Sequence, residues 1–139
     1  MSDKCFVDTN ILVYAHDITQ GAKHERAKAL VEGLWQSGRG VLSTQVLQEL
    51  CVTLRRKAGR PLSAEGTRSL IEDYARWQMV VTSAESVLEA LDVEERYQIS
   101  FWDALIVQAA NSARAEIIYS EDLADGQKYG EARVVNPLK

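Results

Sequence analysis

The sequence predicts an α/β fold in which a central parallel β-sheet is flanked by α-helices on both faces. Short apolar segments alternate with longer segments whose apolar residues recur at helical spacing, and this alternation is typical of βαβ units. The 139 residues, 46% of them hydrophobic and 26% charged, fit one globular domain spanning residues 1–139. Right-handed crossovers would align the carboxyl ends of the strands at one edge of the sheet, where such folds bind ligands.

Five short segments are predicted to be strands because they are apolar and end at polar or turn residues. The first, residues 4–8, ends in the carboxylate of Asp8. The fourth, residues 117–120, is followed by an acidic turn. The other three are residues 41–42, 79–82 and 133–135.

Six segments are predicted to be helices because apolar residues recur along one face of each. They are residues 11–15, 22–36, 44–57, 63–77, 83–96 and 101–113. Four of them begin at hydroxyl side chains that can accept a hydrogen bond from the first helical turn, as N-cap residues do. These N-cap candidates are Ser43 or Thr44, Ser63, Ser83 and Ser100.

The charge balance of the chain argues against nucleic-acid binding through a basic surface alone. Sixteen Lys and Arg residues against twenty Asp and Glu residues give a net charge of −4 at neutral pH. Proteins that bind nucleic acid mainly by neutralising phosphates are usually basic. If this chain acts on nucleic acid, another feature must offset the repulsion, and a bound divalent cation is one candidate.

The cysteine content and the apolar segments indicate a cytoplasmic protein that does not enter a membrane. Cys5 and Cys51 form neither a disulfide scaffold nor a C-x-x-C pair, so we expect ordinary buried thiols. No apolar run approaches the roughly 18 residues of a membrane span. The first residues lack the apolar region of a secretory signal peptide.

Four acids are expected at the carboxyl edge of the sheet or at the start of the following helices. They are Asp8, Glu49, Asp103 and Asp122. Carboxylates that converge repel one another unless a cation neutralises them, and oxygen ligands suit Mg²⁺ or Mn²⁺. Such an ion can activate water and screen a phosphodiester, so the predicted chemistry is hydrolysis of a phosphate ester.

Each acid also has an ordinary structural interpretation. Asp8 can be a cap or turn residue, and Glu49 can be a solvated residue beside an apolar stripe. Asp103 ends an S-x-x-D capping motif, and Asp122 can be an exposed turn acid. The cluster is favoured because one sheet edge can hold all four side chains.

Basic and aromatic residues are harder to assign. Cations at residues 55–57 and at Arg60 either complement a helix dipole or contact phosphate at the rim of the site; they are Arg55, Arg56, Lys57 and Arg60. A second basic group, Lys23, Arg26 and Lys28, can be a solvated helix face. Trp35, Trp77 and Trp102 are expected in the core or half-buried.

Motifs for several other chemistries are missing from the sequence. His16 and His24 do not form an H-E-x-x-H zinc motif. The sequence contains neither G-x-x-x-x-G-K-[ST] nor G-x-G-x-x-G, the two common phosphate-binding loops. It also contains no G-x-S-x-G nucleophile motif.

Four segments, in this order, resemble the PIN domain family. Residues 6–15 (FVDTNILVYA) are similar to the opening of that family, and residues 101–107 (FWDALIV) to its central segment. Residues 118–123 (IYSEDL) resemble its late Ser/Thr-x-Asp turn, and residues 134–138 (VVNPL) its closing segment. The resemblance covers about residues 5–138.

The resemblance implies a metal-dependent ribonuclease, most often the VapC-type toxin of a VapBC toxin–antitoxin pair. It implies a parallel sheet between helices, a Mg²⁺ or Mn²⁺ cofactor, an RNA substrate, a homodimer and a small antitoxin that blocks the site. The metal-binding and catalytic acids of the family correspond to Asp8, Glu49, Asp103 and Asp122, with Ser120 and Asn10 as supporting groups. Many relatives have Phe where this chain has Asp125, which leaves open whether Asp125 helps Asp122.

Two other functions stay open on the sequence. A PIN-like domain without catalysis would be a binding module, although such domains are expected to lack one or more of the acids. An aspartate-based phosphatase of the haloacid dehalogenase class also has an Asp after its first strand. That class requires Asp-x-Asp, whereas this chain has Asn10 at the third position.

Overall fold

The computed structural model of the protein describes residues 3–56, 59 and 61–139. Within these ranges the strands are β1 (Cys5–Val7), β2 (Gly40–Ser43), β3 (Gln78–Val80), β4 (Ile117–Tyr119), β5 (Lys128–Tyr129) and β6 (Ala132–Val135). The α-helices are α1 (Thr9–His16), α2 (Ala22–Ser37), α3 (Thr44–Arg56), α4 (Ala64–Tyr74), α5 (Ala84–Tyr97) and α6 (Phe101–Ser112). A short 3₁₀-helix, Ile18–Gln20, connects α1 and α2.

The six strands form one sheet in the order β3-β2-β1-β4-β6-β5. All neighbouring strands are parallel except β5, which pairs antiparallel with β6. The predicted α/β class and the predominantly parallel sheet are therefore confirmed. The sequence prediction missed β5, because two residues are too few to show a strand periodicity.

The order in which the chain adds strands to the sheet reverses between β1 and β4, the two central strands. The chain moves outward from β1 to β2 and β3, and then returns to place β4 on the other side of β1. Right-handed crossovers consequently put α1–α4 on one face and α5–α6 on the other. Ligands of open α/β sheets bind at such a switch point, outside the carboxyl ends of the strands.

The core lies between the sheet and these helices. Phe6, Val7, Val41, Leu42 and Ile118 of the strands are fully buried. On one face α1 packs against α2 and α3, and α3 packs against α4, whereas on the other face α5 packs against α6. The described residues contain no helix of sufficient length and apolar character to span a membrane.

The predicted N-caps are confirmed and explain where the helices begin. Ser63, Ser83 and Ser100 each accept a hydrogen bond from the first turn of α4, α5 and α6. Ser43 accepts one from the backbone N–H of Val46 in α3. The prediction for the end of α4 is wrong, since this helix ends at Tyr74 rather than near Trp77. Lys57, the predicted end of α3, lies outside the described residues.

Both cysteines are free thiols, as the sequence predicts. Cys5 is buried in β1, whereas Cys51 is only half-buried in α3.

Candidate functional site

The two central strands place Asp8 and Ser120 side by side at the carboxyl edge of the sheet. Asp8 follows β1 and is the N-cap of α1. Its backbone N–H donates to the carbonyl of Tyr119, the last residue of β4, at 2.9 Å. Ser120 follows directly and is fully buried. The sheet thus fixes the separation of the two side chains.

The carboxylate of Asp8 is buried and held at both oxygens. The residue is 6% exposed. Its Oδ2 accepts a hydrogen bond from Ser120 Oγ at 2.8 Å, and its Oδ1 accepts one from the backbone N–H of Thr9 at 2.7 Å. Asp8 is therefore both a helix cap and a buried acid, so the two interpretations of the sequence apply together.

Glu49, on α3, is linked to the segment that carries Asp8. Its Oε1 accepts a hydrogen bond from Thr9 Oγ1 at 2.7 Å, across 40 residues of sequence. Thr9 therefore contacts both acids, Asp8 through its backbone and Glu49 through its hydroxyl. Gln45, one turn earlier on α3, has its Nε2 within 3.5 Å of Glu49 Oε2.

Asp103 lies in the first turn of α6, and Asp122 lies in the turn that follows β4. The backbone N–H of Asp103 in the first turn of α6 donates to Ser100 Oγ at 3.1 Å. The turn that carries Asp122 is held by Ser120 Oγ, which accepts from the backbone N–H groups of Asp122 and Leu123, each at 3.2 Å. Ser120 thus supports both Asp8 and the segment that contains Asp122.

All four predicted acids line one cavity of about 750 Å³, which we call the acidic cavity. It opens between α1, α3 and α6, and no Lys or Arg is among its described lining residues. The lining residues are Asp8, Thr9, Asn10, Val13, Tyr14, Gln45, Gln48, Glu49, Val52, Thr53, Trp102, Asp103, Ile106 and Asp122.

Burial and neighbouring negative charges raise the pKa of two of the four acids, Asp8 and Asp103. Burial raises the pKa of Asp8 from 3.8 to about 6, although the hydrogen bonds from Ser120 and Thr9 lower it. Burial likewise raises the pKa of Asp103, against the hydrogen bond from Ser100. The charges of Asp122 and Glu49 add to both increases, so the four acids interact electrostatically.

The donors of the acidic cavity suit a hard divalent cation. Every candidate ligand is an oxygen, and the side-chain oxygens Asn10 Oδ1 and Gln45 Oε1 are buried without a hydrogen-bond partner. However, no three His, Cys, Asp or Glu side chains within the described ranges are arranged so that they could hold a metal ion together. Carboxylates that repel one another are expected to stand apart until a cation draws them in.

Several other predicted residues lie outside the acidic cavity. Asp125 is engaged with the C-terminal segment, where it accepts from the backbone N–H of Asn136 at 2.9 Å and pairs with Lys139 at 3.3 Å. Arg55 and Arg56 are exposed in the last turn of α3 and do not line the cavity. Lys57 and Arg60 lie outside the described residues.

The second basic group of the sequence is dispersed along α2. Lys28 is exposed, and Arg26 donates to the carbonyl of Leu138 at 2.5 Å. Lys23 pairs with Glu121 at 2.6 Å and lies 5.0 Å from the ring centre of Tyr14, which lines the acidic cavity. Glu121 also accepts a hydrogen bond from the Tyr14 hydroxyl at 2.7 Å.

Sequence reasoning missed several polar or aromatic residues of this cavity, among them Thr9, Gln45 and Trp102. Thr9 lies within the D-T-N motif, and Gln45 precedes Glu49 by four residues and so shares its helical face. Both signals were present in the sequence. The prediction for Trp102 is wrong, because this side chain is 61% exposed, whereas Trp77 is buried and Trp35 is 39% exposed.

Comparisons with known proteins support the fold. A family model described as the PIN domain matches residues 5–124. No curated protein matches the chain. Among solved structures, a toxin–antitoxin complex from Klebsiella pneumoniae is similar with a TM-score of 0.70 and 20% identity, over 96% of this chain and 98% of that chain.

Two further structures are similar over nearly their whole length. VapC20 of Mycobacterium tuberculosis, described as a toxin that cleaves the sarcin–ricin loop, has a TM-score of 0.64 and 21% identity, over 94% of this chain and 99% of that chain. VapBC2 of Rickettsia felis, bound to a DNA fragment from its promoter, has a TM-score of 0.64 and 18% identity, over 94% and 96%. At these identities the similarity concerns the fold.

Proposed function

Because the chain belongs to the PIN domain family, we propose that it is a Mg²⁺- or Mn²⁺-dependent endoribonuclease that hydrolyses RNA phosphodiester bonds in the cytoplasm. The observation that carries this proposal is the acidic cavity, in which four carboxylates from distant parts of the chain meet at the switch point of the sheet. We further propose that the protein is the toxin of a toxin–antitoxin pair, as several of the similar structures are.

In this proposal Asp8, Glu49, Asp103 and Asp122 hold the cation, and Ser120 and Asn10 support them. When bound, a divalent cation supplies an activated water and positive charge opposite the phosphodiester. Thr9 and Ser120 each direct a hydroxyl hydrogen at a carboxylate and so orient Glu49 and Asp8. Since no Lys or Arg is among the described lining residues, positive charge opposite a phosphate in the cavity would have to come from the cation.

Cleavage of a total-RNA pool by the purified protein tests the proposal, with Mg²⁺, Mn²⁺ or EDTA in parallel reactions. We expect cleavage that requires the metal and is lost in Asp8→Asn. The matched control is Asp92→Asn, which removes one exposed carboxylate of α5 outside the acidic cavity and should leave cleavage unchanged. Full metal-dependent cleavage by both Asp8→Asn and Asp103→Asn would refute the assignment.

A separate comparison distinguishes Asp122 from Asp125. We propose that Asp122 completes the ligand set, since it lines the acidic cavity while the carboxylate of Asp125 binds Asn136 and Lys139. Asp122→Asn should weaken Mn²⁺ binding, measured by calorimetric titration, and Asp125→Asn should not. The opposite order would assign the site to Asp125.

We propose that Arg55 and Arg56 contact RNA phosphates beyond the cavity. Both are exposed on α3, the helix that also carries Glu49 and Val52 of the cavity wall. Replacing them with Ala should raise KM and make binding less sensitive to salt. An unchanged KM and salt dependence would leave them as charges that only complement the helix dipole.

The antitoxin is proposed to place a basic side chain in the acidic cavity. An Arg or Lys there would pair with the carboxylates and compete with the cation. Neutralising Asp8 and Asp103 together should therefore weaken the complex with the antitoxin. Affinity that does not change on neutralisation would exclude this mode of inhibition.

A homodimer is proposed to cover the exposed apolar side chains of α5 and of Val81, the residue that follows β3. Val81, Leu88 and Leu91 are 69%, 63% and 45% exposed. Light scattering should report a dimer that Leu88→Lys dissociates. The matched control is Ile18→Lys in the 3₁₀-helix, where the residue is 59% exposed. A monomeric wild-type protein would refute this part of the proposal.

A catalytically silent binding module is the second candidate, because no three His, Cys, Asp or Glu side chains among the described residues are already arranged to hold a metal ion. Absence of Mn²⁺ binding at millimolar concentration would favour it. An aspartate-based phosphatase is disfavoured, since that class requires Asp-x-Asp and this chain has Asn10 at the third position. A trapped aspartyl-phosphate on Asp8 would restore that alternative.

A further inference from the structure

Trp102 presents a large aromatic surface to solvent at the mouth of the acidic cavity. Its side chain is 61% exposed, although tryptophan is usually largely buried. It lines the cavity together with the adjacent residue Asp103, which is one of the four acids. An aromatic surface is therefore available beside the carboxylates.

The indole ring of Trp102 is held in place by its neighbours. Phe101 packs edge-on against it, with ring centres 5.3 Å apart and an interplanar angle of 76°. Phe101 is itself anchored in a small cluster with the buried residues Ala90, Ala104 and Leu105. The contact with Phe101 restricts one side of the indole ring, while much of the side chain stays exposed to solvent.

The backbone of Trp102 is also tied to α3. Gln45 donates from Nε2 to the carbonyl of Trp102 at 3.3 Å, and the same Nε2 lies 3.5 Å from a carboxylate oxygen of Glu49. Because both neighbours are acceptors, the orientation of the Gln45 amide is determined. Gln45 thus connects the helix that carries Glu49 with the turn that carries Trp102 and Asp103.

The negative charge of the acidic cavity indicates how the exposed ring of Trp102 could contribute to RNA binding. The described lining contains four acids and no Lys or Arg, and the whole chain has a net charge of −4. Apart from a bound cation, attraction to phosphate therefore contributes little at the cavity. An RNA ligand needs binding energy that does not depend on charge, and stacking of a base on an aromatic ring supplies it.

We propose that Trp102 is a stacking platform for an unpaired RNA base next to the phosphodiester bound at the acidic cavity. The proposal rests on the proposed ribonuclease function and narrows its substrate to RNA that is single-stranded at the cleavage site. A base in a duplex is stacked between its neighbours and cannot present its face to the indole ring.

Binding of a short oligoadenylate tests the platform, measured with all four acids intact and with Ca²⁺, another cation that prefers oxygen ligands, in place of Mg²⁺ or Mn²⁺ so that the RNA is not cut. Trp102→Ala should weaken binding about 5- to 150-fold, the range expected for the loss of one base stack. Trp102→Phe should retain most of the affinity. The matched control is Trp35→Phe, which lies in a separate aromatic cluster with Tyr74 and Trp77 and should bind normally.

Two further measurements separate stacking from a general structural effect. An abasic ribose-phosphate chain of equal length carries the same charge without bases, and it should bind equally to the proteins with and without Trp102. Quenching of tryptophan fluorescence by oligoadenylate should persist in Trp35→Phe and disappear in Trp102→Phe.

The outcomes distinguish this proposal from the ribonuclease proposal. Unchanged oligoadenylate binding in Trp102→Ala, or equal loss of binding for the abasic chain, overturns the platform while the nuclease assignment stands. Equal cleavage of an RNA strand and its duplex by the wild-type protein also overturns it. Trp102-dependent binding without any cleavage by the wild-type protein retains the platform and rejects the nuclease.

Discussion

At the scale of single residues, the site depends on two hydroxyl groups that each hold one of its acids in place. Thr9 donates its hydroxyl to Glu49, and Ser120 donates its hydroxyl to Asp8. Hydrogen bonds to a carboxylate favour its charged form and fix its direction. Together they reduce the cost of gathering acids in a cavity without Lys or Arg among its described lining residues.

Thr9→Val tests this role, because it removes the hydroxyl and keeps the shape of the side chain. We expect Mn²⁺ affinity and RNA cleavage to fall about 10- to 100-fold, as for other groups that orient a metal ligand. Thr9→Ser, which keeps the hydroxyl, should restore most of both. Calorimetric titration and cleavage assays provide the measurements, and equal behaviour of the Val and Ser variants would contradict the prediction.

At the scale of elements, a few close contacts determine how helices and strands are joined. Gly40 opens β2 directly beneath the ring of Trp77, and a Cβ atom at this position would overlap that ring. Trp77 packs edge-on against Tyr74 and Trp35, which belong to α4 and α2. The start of β2 is thus fitted to an aromatic cluster that joins both helices to the sheet.

Gly40→Ala should therefore destabilise the protein by about 1–3 kcal/mol, the usual cost of overpacking. Gly33→Ala is the matched control, since nothing lies within 4 Å of a Cβ built at that helical position. Ala also favours a helix over Gly by up to about 1 kcal/mol, so the control should be neutral or stabilising. Urea unfolding followed by circular dichroism measures both changes.

A second contact between elements involves Asp17, whose carboxylate accepts hydrogen bonds from Thr19, Gln20 and the backbone N–H of Gly59. These bonds, led by the Thr19 hydroxyl, lower the pKa of Asp17 to about 2. The carboxylate joins the connection between α1 and α2 to the segment after α3.

The lowered pKa of Asp17 predicts a specific acid sensitivity. A carboxyl group with a depressed native pKa stabilises the fold above its unfolded pKa near 4, and this contribution is lost as the pH falls toward 2. Asp17→Asn should cost about 1 kcal/mol at pH 7, and its difference from wild type should shrink between pH 4 and pH 2. Urea titrations at several pH values measure the difference, and a constant difference would contradict the prediction.

At the scale of the whole molecule, stability and the proposed function oppose each other at the switch point. Asp8 is buried among three other acids, and burial raises its pKa to about 6. An ionised carboxylate there at neutral pH costs stability unless a cation compensates it. The fold tolerates this cost because most of its core lies elsewhere, between the sheet and its helices.

Mn²⁺ should therefore stabilise the protein against heat. Binding to the native state alone raises stability by about 2.7 kcal/mol at a concentration 100 times the Kd. In EDTA, Asp8→Asn should melt at a higher temperature than wild type because Asn keeps the helix cap and removes a buried charge. Mn²⁺ should then raise the Tm of wild type far more than that of the variant. Scanning calorimetry measures both effects, and equal shifts would count against a cation at Asp8.

The sequence predicts the order of strands and helices well, because capping serines and apolar spacing are local properties. Ser63, Ser83 and Ser100 mark helix starts whatever the rest of the chain does. The antiparallel strand β5 could not be predicted, since it exists through pairing with β6. The exposure of the Trp102 side chain could not be predicted either. An aromatic residue generally favours the interior, and only the tertiary structure determines which one stays at the surface.

The site residues are far apart in the sequence, so their convergence also depends on the tertiary structure. Motif order brings Asp8 and Asp122 together only once β1 and β4 are adjacent in the sheet. Asp125 lies three residues after Asp122, yet its carboxylate is bound by the C-terminal segment instead. Spacing in the sequence cannot show which of Asp122 and Asp125 faces the acidic cavity, because the conformation of the folded turn directs the two side chains to different partners.

The pairing of β1 with β4 also has a consequence for synthesis of the protein on the ribosome. Asp8 is translated 112 residues before its partner Ser120. A growing chain that already contains Asp8, Glu49 and Asp103 still lacks the strand that completes the centre of the sheet. The four acids can therefore converge only after β4 has been translated, so a shorter nascent chain cannot assemble the acidic cavity.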